Sequence, residues 1–116
     1  MSKLKVSVGG AMERQAARNF ADAWNRAKKG KPVDERHIAF ESFEALARVL
    51  TGKRMELLRY VRRHEVASVR SLAKALARDY SNVHADVKAL ADAGLLETGA
   101  GRLRADYDGI ETKIAI

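Results

Sequence analysis

The stretch from Ser68 to Leu96, SVRSLAKALARDYSNVHADVKALADAGLL, constrains the chain more than any other, because it fits two short helices separated by very little sequence. In its first part Val69, Leu72, Ala73 and Leu76 recur at three- and four-residue spacing and fall on one helical face, with Ser68 placed to cap the first turn. The break falls at Ala77-Arg78-Asp79. Asp79 can cap a second helix, whose apolar stripe is Val83, Val87 and Leu90 and which ends before Gly94. Two helices joined by so short a turn must cross steeply rather than lie side by side.

The opposite face of the second helix carries Tyr80, Ser81, Asn82, His84, Ala85 and Lys88. It is short, polar and free of carboxylate. Ser, Asn, His and Lys can hydrogen-bond base edges or phosphates in a major groove, and a small residue such as Ala85 lets the backbone come close. A solvated helix face is also polar for no other reason, so this face alone does not decide the matter. Asp86 lies at the edge of the apolar stripe and is expected to be an internal anchor, paired with an arginine of a neighbouring helix such as Arg59 or Arg62.

Leu95 and Leu96 then run into Glu97-Thr98-Gly99-Ala100-Gly101-Arg102-Leu103-Arg104, an apolar start, a glycine turn and a basic return. This is the pattern of a β-hairpin. After a helix-turn-helix it reads as a wing, with Arg102 and Arg104 facing a DNA backbone and Leu103 packing inward.

Charge favours the same reading. The chain has 116 residues, a formal charge of +7 and a pI near 10.0, so its surface attracts polyanions, of which nucleic acid is the commonest inside a cell. Between Lys53 and Arg104 lie eleven basic residues against six acidic ones, which places five of the net seven charges around the proposed reading helices. The basic members of a DNA-contacting set there are Arg70, Lys74, Arg78, Lys88, Arg102 and Arg104.

The length suits one domain, or a small domain with an arm. There is no cysteine, hence no disulfide framework, thiolate chemistry or cysteine zinc site. No signal-peptide core and no run near the roughly 20 apolar residues of a membrane span are present, so a cytoplasmic chain without membrane association is expected. His37, His64 and His84 have no second histidine three or four residues away, and Gly9-Gly10 is too little for a phosphate loop. Neither catalysis nor a cofactor is expected. His64 reads as a cation at a helix C-terminus.

Near the N-terminus, Leu4, Val6 and Val8 alternate with polar residues as in a half-buried strand. A helix from Ala11 to about Lys29 is expected next, its stripe formed by Ala16, Phe20, Trp24 and Ala27, with Gly30 and Pro32 ending it. Phe20 and Trp24 read as core residues. A second strand follows over 36–41, with Ile38 and Phe40 on one face. Strand, helix and strand in this order favour a right-handed crossover with the strands parallel, and two strands need a further partner. Ile110, Thr112, Ile114 and Ile116 alternate in the last stretch and can supply it.

Ser42 is placed to cap a helix over 42–50 with Phe43, Leu46, Ala47 and Leu50 as its buried stripe. Thr51 caps the next, over 52–64, where Leu50 and Met55 form a staple and Leu57, Leu58 and Val61 turn inward. The fold class expected is therefore α+β: a winged helix-turn-helix core over 42–109, a strand-helix-strand extension over 1–41 and a terminal strand over 110–116.

Taken together, Ile38, Phe40 and Ser42, then Leu50-Thr51-Gly52-Lys53-Arg54, then Arg78-Asp79-Tyr80 with Asn82-Val83-His84 and Asp86-Val87, then Tyr107-Asp108 with Ile110, resemble the MarR-like winged-helix regulators of prokaryotes, and in particular a group of small regulators. The resemblance runs from about Ile38 to Ile116. It departs at Gly52, where the pattern has proline, and near Ala105, where a proline is usual. It implies a regulator that binds double-stranded DNA, a repressor in the first instance. Some members resemble the antitoxin half of a toxin–antitoxin pair, so a toxin protein is a second expected partner class; an RNA-binding winged helix is a third reading. Two reading helices about one DNA turn apart imply a homodimer, held by residues 4–40 and 110–116, unless those segments fold back on their own core.

Overall fold

The computed structural model describes residues 3–9 and 35–116. The helix expected over 11–29, with Phe20 and Trp24, lies outside the described residues. The chain is an α+β protein and divides into two compact units, residues 1–47 with 107–116, and residues 48–106.

The first unit is built on a three-stranded parallel sheet in the order β2-β1-β5, formed by β1 (Lys3–Val8), β2 (Glu35–Phe40) and β5 (Gly109–Ile114). Register follows from the alternation: Val6 stands beside Ile38 and Thr112, and Val8 beside Phe40 and Ile114. Partners in register share a face, so Leu4, Val6, Val8, Ile38, Phe40 and Ile110 lie on one side of the sheet. Leu4, Val6 and Val8 are buried, and each contributes about 1.5–3 kcal/mol over an exposed position. The expected terminal strand is present and starts one residue earlier, at Gly109. The Tyr107 ring beside it is buried, which pushes its phenol up to about 12 against the opposing effect of the Arg36 charge.

Helix α1 (Phe43–Val49) starts at Ser42, whose hydroxyl accepts the Ala45 N–H at 3.1 Å. Its expected four-residue stripe is reduced to one buried residue, Leu46; Phe43 is 57% exposed and Ala47 is exposed. A helix of two turns has room for few inward positions, and the ring at the first of them faces water.

The second unit contains α2 (Gly52–Arg63), α3 (Val69–Leu76), α4 (Tyr80–Asp92) and the hairpin β3 (Glu97–Gly99) with β4 (Arg102–Arg104). Leu57, Leu58 and Val61 of α2, Leu72 and Ala73 of α3, and Val83, Val87 and Leu90 of α4 are buried with Val66, Leu95, Leu96 and Leu103. Val69 and Leu76, expected in the α3 stripe, are only half-buried. Caps fix the helix starts: the Thr51 hydroxyl accepts the Arg54 N–H, and Ser68 and Ser71 exchange side-chain and backbone bonds in a capping box. Helix α4 ends in a Schellman motif, with Leu95 N–H on Leu90 O, Gly94 N–H on Ala91 O and Gly94 at φ +84°. No helix among the described residues is long and apolar enough to cross a membrane.

Candidate nucleic-acid interface

The connection between α3 and α4 is Ala77-Arg78-Asp79, where the sequence places the break. Ala77 adopts the left-handed conformation, φ +53°, with its N–H on Lys74 O and the Arg78 N–H on Ala73 O. That closes α3 in the manner normally left to glycine. Asp79 then caps α4, accepting the Ser81 and Asn82 N–H groups and the Ser81 hydroxyl. The Ser81 hydroxyl bond, ahead of the Asn82 N–H, holds the Asp79 carboxyl below the usual carboxylate range.

Asp86 sets the rotation of α4. Its carboxylate is 14% exposed and takes Arg54 Nε at 3.0 Å and Arg78 Nη2 at 2.7 Å. Arg54 Nη1 also donates to the Arg48 and Val49 carbonyls at 2.9 Å, tying the end of α1 to the start of α2. Asp86 is thus the internal anchor expected, but its partners are Arg54 and Arg78 rather than Arg59 or Arg62. The reason is helical phase: Arg54, Leu57, Leu58 and Val61 follow the i, i+3, i+4, i+7 rule, whereas Arg59 and Arg62 fall on the exposed side. Arg78, expected among the DNA contacts, is turned inward, with Nη1 buried and lacking a hydrogen-bond partner among the described residues.

With Asp86 inside, the outer face of α4 carries Tyr80, Ser81, Asn82, His84, Ala85 and Lys88, all exposed. Tyr80 is held from two sides, by Arg70 of α3 with its guanidinium carbon 5.3 Å from the ring centre and by the tilted His84 ring at 5.9 Å. Lys88 bonds Asp92 one turn on, at 3.2 Å. Lys74 is exposed on α3. Ser81 keeps an exposed position, but its hydroxyl proton is committed to Asp79.

The hairpin has the register Glu97–Arg104, Thr98–Leu103 and Gly99–Arg102. Leu103 is buried and its N–H meets the Val66 carbonyl at 2.8 Å, so β4 is fixed to the segment between α2 and α3. Arg102 and Arg104 point outward, as their alternation with Leu103 requires. Both rest on exposed carboxylates, Arg102 on Glu65 at 3.7 Å and Arg104 on Glu97 and Asp106 at 3.4 Å. Such exposed pairs are worth little and exchange readily for a phosphate.

A cleft of about 460 Å³ brings Ser68, His84, Lys88, Thr98 and Arg102 together. A second, of about 220 Å³, adds Arg62, Arg63 and His64 beside Arg102 and Arg104. These three were not among the residues expected here; the signal available was the basic run closing α2. His64 does end that helix, its Nδ1 3.1 Å from the Tyr60 carbonyl and its ring stacked 4.1 Å from the Tyr60 ring.

The second unit therefore presents one polar helix face and one hairpin with two outward arginines, both set by bonds reaching the core. The model of the HVO_A0114 family matches residues 49–112, more than half of the chain, and the chain belongs to that family. No curated protein and no solved structure is similar enough to count as a match.

Proposed function

We propose that the chain is a winged helix-turn-helix transcriptional regulator, similar to the MarR-like regulators, that acts as a homodimeric repressor in the cytoplasm. In this reading α4 enters the major groove, and the β3–β4 hairpin is the wing that grips the backbone. One observation carries it: Asp86, the one carboxylate between Tyr80 and Lys88, is turned inward onto Arg54 and Arg78. The face left outside combines Asn82, His84 and Lys88, donors suited to base edges and phosphates, with the small Ala85. Tyr80 and Arg70 brace its leading end. Arg102, lining the same cleft as His84 and Lys88, supplies a cation where a phosphate chain would pass.

The test is a fluorescence-anisotropy titration of the full chain on duplex DNA from its own upstream region and on a scrambled duplex, at several salt concentrations. The reading requires binding to both at low salt, a steep loss with salt and a clear preference for the native duplex. Absence of binding at low salt contradicts it.

A further inference from the structure

We propose that the outer edge of β5 is a self-pairing surface, on which a second copy of this chain docks its own β5 antiparallel, with Thr112 opposite Thr112 of the other copy. This gives the homodimer of the proposed reading its joint, and it rests on the geometry of the first unit alone.

Among the described residues, β5 is an edge strand, bonded to β1 and to no other strand. The Ala115 N–H reaches Val8 O at 3.0 Å, so by alternation Glu111 and Lys113 direct their backbone groups toward β1. Ile110, Thr112 and Ile114 direct theirs outward. Residues 111–116 are all exposed, Ile114 to 46%. An open edge of this length is ordinarily blunted by charged side chains, by proline or by a bulge. Here the edge charges are Glu111 and Lys113, opposite in sign and two residues apart, so the strand complements itself.

Register follows. Antiparallel bonding requires outward residues to meet outward residues, so the two-fold axis can move only in whole-residue steps along β5. Centred on Thr112, it sets Ile110 against Ile114 and Glu111 against Lys113 twice over, the charged pairs falling at the closer, non-bonded positions. Moved one residue toward the C-terminus it sets Lys113 on Lys113; moved one the other way it sets Glu111 on Glu111. Like charges directly opposite repel, so the Thr112-centred register is favoured over its two neighbours, and a shift of two residues gives up both Glu111–Lys113 pairs. The interface is isologous, as a two-fold dimer requires. Glu111 also meets Lys3 of its own chain at 3.0 Å on that face, and its side chain remains 54% exposed.

The experiment is sedimentation equilibrium of the full chain without DNA, so that failure of this joint is separable from failure of the DNA reading. The wild type is expected to be a dimer at micromolar concentration. Glu111→Lys and Lys113→Glu each make the facing positions like-charged and should weaken self-association at least about tenfold. Mixed in equal amounts they should restore a dimer, seen by native mass spectrometry as the heterodimer. Thr112→Pro removes an N–H that points away from β1, leaving the ladder to β1 intact while blocking the joint, and should be monomeric with an unchanged circular dichroism spectrum. A monomeric wild type, a dimeric Thr112→Pro, or a mixture of the charge variants that stays monomeric overturns the proposal.

Discussion

Arg78 Nη2 and Asp86 Oδ2 meet at 2.7 Å, joining the turn that precedes α4 to the middle of that helix, eight residues on. Arg54 Nε closes on the other carboxylate oxygen from α2. All three side chains are only 14–21% exposed, so the carboxylate is the shared acceptor for two largely desolvated guanidinium groups. Removing it takes the acceptor from Arg78 and leaves Arg54 only the Arg48 and Val49 carbonyls. Asp86→Ala is expected to destabilise the second unit by about 3 kcal/mol, whereas Arg78→Ala, which leaves Arg54 in place, costs about 1–2 kcal/mol. The double variant should fall short of the sum by roughly 1 kcal/mol. Urea unfolding followed by circular dichroism reads all three. Equal and additive losses would show that the arginines and Asp86 act independently.

Two turns are closed by alanine where glycine or asparagine fits better. Ala77 has φ +53° and Ala100 has φ +50°, the latter followed by Gly101 at +73° in a two-residue hairpin turn. An L side chain in the left-handed region costs about 1–2 kcal/mol, of which glycine's freedom in the unfolded chain returns roughly half. Ala77→Gly and Ala100→Asn should each raise stability by about 0.5 kcal/mol, a shift of a few degrees in thermal midpoint. A lowered midpoint in either variant would contradict the strain.

Alkali and acid act on different units. Burial raises the Tyr107 phenol from 10.0 to about 12, so its contribution is complete below pH 10 and is lost as pH rises through that window. Tyr107→Phe should lower the alkaline sensitivity of the first unit and remove the last phase of phenolate absorbance. Asp79 runs the other way. Its carboxyl is lowered from 3.8, chiefly by the Ser81 hydroxyl, so capping persists above that value and is lost as pH falls through the folded value. The Ser81 and Asn82 amide protons, followed by NMR during acid titration, should lose protection together, and Asp79→Ala should abolish that step.

Much of this arrangement is legible in the residues, and the gaps have physical causes. Strict alternation in Leu4–Val8 and again from Ile110 gives the strands, and β1 and β2 are parallel as expected; alternation carries no direction, so the parallel placing of β5 on β1 is not legible. The breaks at Thr51, Ser68 and Asp79 are capping residues doing what their chemistry favours. What misleads is a charge inside a stripe. Arg54 occupies the first position of the α2 stripe and Asp86 the second of the α4 stripe, in each case where an apolar residue is the default. Two such intrusions of opposite sign on different helices are themselves the sign of a pair, and following that phase would select Arg54 over Arg59 and Arg62. The inward direction of Arg78 could not be read from spacing, because it lies in the turn, where helical phase says nothing about direction. The Ser81 hydroxyl likewise depends on the cap geometry rather than on its place in the helix.

Under the proposed function the hairpin arginines serve affinity. Arg102→Ala and Arg104→Ala should weaken cognate and random duplexes about equally, and each should reduce the slope of log affinity against log salt by about 1. Arg78→Ala should leave that slope unchanged, since its guanidinium is held by Asp86. A slope that falls with Arg78→Ala and not with the hairpin variants would put the backbone contacts elsewhere.

Base reading by α4 is tested most directly by the ratio of cognate to random affinity in Asn82→Ala and His84→Ala. Both side chains are exposed on the outer face of α4 and neither belongs to the Asp86 anchor, so the fold should be retained. With a duplex selected by the wild-type chain, each substitution should cost about 1–3 kcal/mol on that duplex and almost nothing on a random one, collapsing the ratio by roughly ten- to a hundredfold. An unchanged ratio, with both affinities falling together or neither falling, would contradict base reading by this helix.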